Sequence, residues 1–210
     1  MICLVHGLGV GQAYFEPLAR ELGDVLRPEL RQPLPIRELG AQLALLLPGP
    51  TVLVANSMGC QIATEVAATR PELVEALVLV GPTVDSRTHS AVRHVLRLAV
   101  DGRYEPFLLT ATVIRDYFTY GPVDLFKQVR FALEDRIEER LPRVEAPTLV
   151  LRGANDPLSP ARWCAELTSL LPNARLVTVP GAGHAVHYSH ARVIAAEIRS
   201  FLAGIRGAAG

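Results

Sequence analysis

The chain has 210 residues, of which 50% are hydrophobic and 20% are charged. These values are typical of a globular protein and exclude disorder as the dominant state. The 21 Lys and Arg residues balance the 21 Asp and Glu residues, so the formal net charge is zero. Proteins that bind nucleic acid or anionic membranes usually carry a surplus of positive charge, so neither partner is expected. A neutral protein has little charge repulsion between its copies, so this composition is compatible with a homo-oligomer.

The cysteine content predicts free thiols. The chain has three cysteines, Cys3, Cys60 and Cys164. Their odd number and wide spacing argue against a disulfide framework or a zinc site. Free thiols are typical of a reducing compartment. The N-terminus does not show the basic region and long apolar stretch that are typical of a signal peptide. Apolar runs such as 43–47 are too short to span a bilayer. We therefore expect a cytoplasmic protein, with no cofactor and no metal.

Short apolar runs alternate with helical patterns along the chain. Strands are predicted at 1–5, 25–27, 51–55, 76–80, 148–151 and 175–179. Helices are predicted at 14–22, 36–47, 58–69, 160–170 and 189–202. Continuously apolar strands that alternate with helices indicate a parallel sheet covered on both faces. The predicted fold is therefore α/β, with a mostly parallel sheet of about six strands, within the usual range.

The alternation lapses between Asp85 and Arg143, where helical patterns occur without a convincing strand. This predicts a core formed by 1–84 and 144–210, interrupted by a small helical lid at 85–143. The tail 204–210 is rich in Gly and Ala and is expected to fray.

Ser57 lies at the point where a strand changes into a helix. In Ala55-Asn56-Ser57-Met58-Gly59, small residues stand two positions before and two after the serine. This pattern is typical of a nucleophile elbow, a turn so sharp that larger side chains would clash. The same segment also fits a serine that merely caps the helix. The segment alone does not separate these interpretations.

Asp156 and His184 strengthen the catalytic interpretation, because each directly follows a predicted strand. Ligands of parallel sheets bind at the carboxyl ends of the strands. A serine hydroxyl is a weak nucleophile that needs a base, and the base needs an acid to orient it. The chain order Ser, Asp, His matches one known arrangement of such a triad. Asp85 also follows a strand, but we expect it to cap the first lid helix.

Five segments together resemble the α/β-hydrolase fold family over nearly the whole chain. They are Val5-His6-Gly7-Leu8-Gly9, Asn56-Ser57-Met58-Gly59-Cys60, Leu79-Val80-Gly81-Pro82, Leu151-Arg152-Gly153-Ala154-Asn155-Asp156-Pro157 and Pro180-Gly181-Ala182-Gly183-His184. The resemblance implies that Ser57 is the nucleophile, His184 the base and Asp156 the acid. It also implies an oxyanion hole formed by the N–H groups of Leu8 and Met58.

The chain departs from that family's pattern in three places. It opens on what would be the family's third strand, so we expect an abbreviated member that lacks the first two strands. The segment 27–31 replaces a Gly-rich loop, which predicts unusually open access to Ser57. Cys60 stands where a second glycine is common, and we interpret it as a small buried hydrophobic residue.

Other interpretations of these motifs are weaker. Gly7-Leu8-Gly9-Val10-Gly11 is similar to a dinucleotide-binding loop, but the next glycine of that fingerprint is replaced by Gln12. His184, His187 and His190 are evenly spaced, yet they have no carboxylate or cysteine nearby to complete a metal site. His187 is the second candidate for the base.

The sequence predicts a serine hydrolase that cleaves a small carboxylic ester, lactone or thioester through an acyl-enzyme. The alternatives are a C–C bond hydrolase of the meta-cleavage-product type and a non-catalytic protein that binds a small molecule. Activity controlled by His184 is expected to show an apparent pKa near 6–7. Arg93 and Arg115 are candidates to recognise a carboxylate, although a solvated surface position is the simpler expectation. Apolar residues of the lid, some of which are expected to line the pocket, are Phe107, Leu108, Leu109, Val113, Ile114, Tyr117 and Phe118.

Overall fold

The protein folds around one parallel sheet. The computed structural model describes residues 1–85, 87, 96–98 and 100–208. Within these residues the sheet has five strands, and their order in the sheet is their order in the chain. The strands are β1 (Ile2–Val5), β2 (Thr51–Asn56), β3 (Val74–Val80), β4 (Thr148–Gly153) and β5 (Ala174–Val179).

Helices connect the strands and cover the sheet. In chain order they are α1 (Glu16–Leu22), α2 (Ile36–Leu46), α3 (Met58–Thr69), α4 (Phe107–Tyr120), α5 (Pro122–Glu134), α6 (Ala161–Leu170), α7 (Val186–Ser189) and α8 (Ala191–Ala208). Each pair of neighbouring strands is parallel. The α/β fold with a parallel sheet and flanking helices is confirmed.

The core consists of one apolar layer on each face of the sheet. All six residues of β2 are buried, and they alternate between the two layers. Leu53 and Ala55 pack in the layer that includes residues of α2, α3 and α6. Val52 and Val54 pack in the layer that includes residues of α1 and α8. This two-sided burial explains why β2 is a continuous apolar run, since neither face of the strand meets water.

The predicted strand at 25–27 is the main difference from the expected sheet. It is reduced to a single parallel bridge between Cys3 and Leu26. The Leu4 N–H donates to the Leu26 carbonyl, and the Leu26 N–H donates to the Ile2 carbonyl. Pro28 follows directly and has no N–H group, so the pairing cannot be extended there. Among the residues that the structure describes, the sheet therefore has five strands, one fewer than the sequence predicts.

The C-terminal helix also differs from the prediction. It is divided into α7 and α8, and α8 continues to Ala208 through most of the tail that was expected to fray. Leu202 is buried in the core, and Phe201 and Ile205 pack against the same layer. These apolar contacts explain why the helix continues, because packing outweighs the weak helix propensity of its glycines.

The β3–β4 segment, defined here as residues 85–143, carries helices α4 and α5. They are joined at Gly121, whose φ of 91° lies in the left-handed region that favours glycine. Two short 3-10 helices follow, Ile137–Glu139 and Leu141–Arg143. The described part of the segment contains no strand, as the sequence predicts. Its separation from the core as a lid stays a prediction.

No helix among the described residues is long and apolar enough to cross a membrane.

Candidate active site

Ser57 occupies a strained turn between β2 and α3. Its φ of 57° and ψ of −125° are unusual, and it is the one non-glycine residue with positive φ in the described part of the chain. Such conformations cost about 1–3 kcal/mol and are concentrated at functional sites. The Ser57 side chain makes no capping hydrogen bond to α3. The capping interpretation of Ser57 is therefore wrong, and the geometry is that of a nucleophile elbow.

Gly59 explains why this turn requires small residues. A Cβ atom built on Gly59 would lie 2.4 Å from the Val5 carbonyl oxygen and 2.7 Å from that of His6. Both neighbours are backbone atoms at the end of β1, so they cannot rotate away. The start of α3 thus lies directly against the end of β1. This close approach places Ser57 beside the His6-Gly7-Leu8 turn.

The Ser57 hydroxyl lies 3.3 Å from Oγ1 of Thr83, which is its hydrogen-bond partner in the structure. Thr83 follows β3, the strand next to β2, and it is buried. Thr83 has no role predicted from the sequence. Its position shortly after a strand end was the available signal.

His184 and Asp156 form a buried pair. The His184 Nδ1 atom lies 2.8 Å from Oδ2 of Asp156. The other carboxylate oxygen, Oδ1, accepts the N–H groups of Leu158 at 2.8 Å and Ser159 at 3.0 Å. Because both oxygens of Asp156 are held, the carboxylate has a fixed orientation toward the imidazole. The loop after β4 and the loop after β5 are brought together as the sequence predicts.

The charges of this pair stabilise each other. Burial raises the pKa of Asp156, but the His184 ring and the N–H groups of Ser159 and Leu158 outweigh it and hold that pKa below its ordinary value. Burial lowers the pKa of His184, but Asp156, followed by Asp101 and Glu105, raises it to about 9. The environment therefore favours the protonated imidazolium. This value lies above the apparent pKa of 6–7 expected for the activity, and Asp156 makes the largest contribution to the increase.

Ser57 and His184 line the same cavity, which has a volume of about 360 Å³. Leu8 and Met58, the two predicted oxyanion-hole residues, line it as well. Met58 is the first residue of α3, so its N–H has no acceptor within the helix. Apolar side chains of α4 and α5 form much of the remaining wall, including Leu109, Val113, Ile114, Tyr117, Leu125 and Val129. The shape suits an apolar ligand group.

Asp85, the alternative acid, is not the partner of His184. Its Oδ2 atom lies 2.6 Å from Nη2 of Arg162, and its Oδ1 atom accepts the Arg87 N–H at 3.1 Å. Burial raises the pKa of Asp85, but these partners hold it below the ordinary value. The helix that Asp85 was expected to cap falls on residues 86 and 88–95, which lie outside the described residues.

His187 is also placed away from the cavity wall. It is fully buried and packs against the rings of Tyr14 and Phe15, with ring centroids 4.6 Å and 4.4 Å away. Burial lowers the pKa of His187 to about 3. A base needs contact with the substrate, so the structure favours His184 over His187 for this role.

Within the described residues, no group of His, Cys, Asp and Glu is arranged to hold a metal ion.

The candidate pocket residues of the β3–β4 segment fall into two sets. Leu109, Val113, Ile114 and Tyr117 line the cavity. The other three side chains are exposed to solvent, namely Phe107, Leu108 and Phe118. Arg115 is also largely exposed and pairs with Asp116 at 2.9 Å, so it matches the surface expectation. Arg93 lies outside the described residues.

Three further residues near the site have no role predicted from the sequence, although His6 lies in one of the segments that carry the family resemblance. His6 donates from Nδ1 to the Gly7 carbonyl at 2.8 Å and accepts the Leu30 N–H at Nε2, 2.9 Å away. It thereby fixes the turn after β1. Asp101 and Glu105 accept the N–H groups of His184 and Ala185, each at 2.8 Å. No local pattern marks them, since their partners are distant in the chain.

Cys60 follows the elbow inside α3 and is fully buried. Its thiol donates to the Ala55 carbonyl at 3.3 Å, and burial raises its pKa well above the ordinary value. A neutral, buried thiol is a poor nucleophile. The interpretation of Cys60 as a small buried hydrophobic residue is consistent with this environment.

Comparison with known proteins identifies the family. Over 96% of its length the chain is 26% identical to polyketide synthase ThaQ of Burkholderia thailandensis, but it spans only 12% of that much longer protein. It is 26% identical to the pimeloyl-[acyl-carrier protein] methyl ester esterase of Xanthomonas oryzae pv. oryzae, over 97% of this chain and 95% of the relative.

A solved structure shows the same fold. The enol-lactonase from Burkholderia xenovorans LB400 superimposes with a TM-score of 0.76 at 21% identity, covering 96% of this chain and 90% of that one. The model of the alpha/beta hydrolase family matches residues 4–197. This match covers both the segments that position Ser57 and those that position Asp156 and His184. The chain belongs to the alpha/beta hydrolase family.

Proposed function

We propose that the protein is a serine hydrolase that cleaves a small, uncharged carboxylic ester, lactone or thioester. Ser57 is the nucleophile, His184 the general base and acid, and Asp156 the residue that orients the imidazole. The observation that supports this most directly is the buried contact of 2.8 Å between His184 Nδ1 and Asp156 Oδ2, next to a cavity that Ser57 and His184 both line.

The reaction follows from these positions. Asp156 accepts a hydrogen bond from the Nδ1–H group of His184, so the other ring nitrogen, Nε2, is left unprotonated to accept the Ser57 proton. Ser57 Oγ bonds to the substrate carbonyl carbon, while the N–H groups of Leu8 and Met58 hold the oxyanion. His184 then returns the proton to the departing alcohol or thiol, leaving an acyl-Ser57 ester. Water repeats the sequence, releases the acid and restores the Ser57 hydroxyl.

The free site needs one rearrangement before this attack. The Ser57 hydroxyl is hydrogen-bonded to Thr83, and it must exchange that partner for His184. Catalytic hydrogen bonds are often long or misaligned without substrate and tighten in the complex. The substrate carbonyl, when held at Leu8 and Met58, lies close to Ser57 and favours the exchange.

The cavity chemistry supports an uncharged substrate. Its described lining residues include Asp101 and Glu105 but no Lys or Arg. A substrate carboxylate would meet these acidic groups, and the described part of the lining offers no Lys or Arg side chain to pair with it. Meta-cleavage products carry a carboxylate, so an ester is favoured over the C–C bond alternative. One relative, which covers 97% of this chain, is named for methyl ester hydrolysis, which agrees with this choice.

A fluorophosphonate probe tests the mechanism, because it reacts with an activated serine. We expect stoichiometric labelling of the protein and none of Ser57→Ala, with hydrolysis in that variant reduced about 10⁶-fold. Folding of both is checked by circular dichroism. A folded protein that neither labels nor hydrolyses any ester would indicate a non-catalytic binding protein.

A substrate panel then separates the two bond types. p-Nitrophenyl esters of increasing acyl length are compared with a vinylogous diketone acid. We expect turnover of the esters and at most trace cleavage of the diketone. Preferential cleavage of the diketone would contradict the ester assignment while leaving the Ser57 mechanism intact.

A further inference from the structure

Two carboxylates of the β3–β4 segment hold the backbone that carries His184. Oδ1 of Asp101 accepts the His184 N–H at 2.8 Å, and Oε1 of Glu105 accepts the Ala185 N–H at 2.8 Å. Asp101 is only 3% exposed. Charge-assisted hydrogen bonds of this kind are about twice as strong as neutral ones. The loop after β5 is thus tied to a segment inserted much earlier in the chain.

Gly183 allows both carboxylates to come this close. A Cβ atom built on Gly183 would lie 2.6 Å from Oε1 of Glu105 and 2.9 Å from Oδ1 of Asp101. The same atoms accept the hydrogen bonds of His184 and Ala185. Any side chain at position 183 would therefore displace the acceptors themselves.

We infer that Asp101 is a positioning residue for His184, which it fixes through the backbone while Asp156 fixes the ring. Glu105 supports the same loop at the next residue. The inference rests on the proposed function, in which His184 is the base. In this arrangement the β3–β4 segment does two things: it forms a wall of the cavity, and it holds the backbone of the catalytic base in place.

Charge gives Asp101 a second effect on His184. The titratable groups around the imidazole are Asp156 after β4, Asp101 and Glu105 of the β3–β4 segment, and His187 of α7. The three carboxylates favour the imidazolium that forms when Ser57 is deprotonated. Removing the charge of Asp101, while keeping its hydrogen bond, should therefore change the protonation of His184 without moving it.

Two substitutions separate these effects. Asp101→Asn keeps an oxygen acceptor of the same length but removes the charge. We expect kcat at its plateau within about fivefold of the unsubstituted protein, with the acid limb of the pH profile moved to lower pH. Asp101→Ala removes the hydrogen bond as well. We expect kcat to fall about 10–100-fold with KM nearly unchanged, because a misplaced catalytic group costs rate.

Asp116→Ala is the matched control. Oδ2 of Asp116, on α4, accepts the buried Gly11 N–H at 2.9 Å, so it makes the same kind of contact between the segment and the core. Asp116 is 5% exposed. We expect this variant to keep kcat within about threefold and to keep the pH profile, since Gly11 carries no catalytic group. Equal losses in both alanine variants would show that Asp101 only attaches the segment.

Gly183→Ala provides an independent test, because it displaces both acceptors while Asp101 and Glu105 stay in the chain. We expect its kcat to fall as in Asp101→Ala. The His184 ring resonances, followed by NMR against pH, report on the base even without turnover. An unchanged His184 titration in Asp101→Asn, together with unchanged kcat in Asp101→Ala, would overturn the inference. Absence of hydrolysis in the unsubstituted protein would instead overturn the proposed function.

Discussion

The hydroxyl oxygen of Ser57 lies 3.3 Å from Oγ1 of Thr83 and is held there by a hydrogen bond between the ends of two neighbouring strands. In the proposed mechanism this bond must break before Ser57 donates its proton to His184. A typical hydrogen bond contributes a net of about 0.5–1.5 kcal/mol. Thr83 therefore stabilises the resting position of the nucleophile by a modest amount.

Thr83→Val removes this hydroxyl while keeping the shape of the side chain. We expect kcat/KM for a p-nitrophenyl ester to rise by no more than about tenfold, because the resting hydrogen bond is lost. Thr51→Val is the control, since Thr51 bonds the Gly49 carbonyl at the other end of β2. It should leave kcat/KM unchanged. A loss of about a hundredfold or more in Thr83→Val would mean that Thr83 assists the transition state.

Asp156→Asn is expected to reduce kcat by about 10⁴, because the imidazole then adopts the wrong tautomer. The amide oxygen can still accept the N–H groups of Leu158 and Ser159, so little change in melting temperature is expected. Asp85→Asn weakens a partly exposed contact to Arg162 and should keep most activity. Steady-state kinetics and thermal melting of the two variants measure this. The opposite ranking of activities would assign the acid role to Asp85.

The pH profile of kcat/KM is expected to show a single acid limb. His184 must be neutral to accept the Ser57 proton, so activity increases as the pH rises through its pKa. The surrounding carboxylates raise that pKa to about 9, so the midpoint should lie above the ordinary histidine value of about 6.5. The rate of fluorophosphonate labelling should follow the same curve. A profile that is flat between about pH 6 and 9 would contradict a base at His184.

Gly59→Ala tests the close approach between β1 and α3. The added methyl group would lie 2.4 Å from the Val5 carbonyl oxygen, and overpacking of this kind costs about 1–3 kcal/mol. Both the melting temperature and the activity should fall. Gly204→Ala is the control, because nothing lies within 4 Å of its added Cβ. There the better helix propensity should stabilise α8 by up to about 1 kcal/mol. A neutral Gly59→Ala would show that the elbow can relax.

Local patterns predicted most of the sheet and the helices. The helix at 58–69 coincides with α3, since an apolar strand precedes it and Pro71 follows it. The strand at 25–27 was predicted too long, because Pro28 follows it directly and has no N–H group to extend the pairing with β1. The continuation of α8 to Ala208 likewise depends on a core layer contributed by distant strands.

The candidate site residues could be predicted where they directly follow the end of a strand. Ser57, Asp156 and His184 share that placement, and the sheet brings the corresponding loops to one edge. Asp101 and Glu105 were not predictable, because they act on backbone N–H groups about 80 positions away. Both carboxylates also raise the pKa of His184, in addition to the larger contribution of Asp156.

The order of the strands has a consequence for the protein during its synthesis. Ser57 follows β2, whereas Asp156 follows β4 and His184 follows β5, the last strand to be added to the sheet. A growing polypeptide therefore contains Ser57 well before it contains the imidazole that activates this serine in the proposed mechanism. Because synthesis adds about 5–20 residues per second, the interval between Ser57 and His184 lasts roughly 6–25 s. In the proposed mechanism, the unfinished chain therefore carries an unactivated alcohol until the residues that follow β5 have been synthesised.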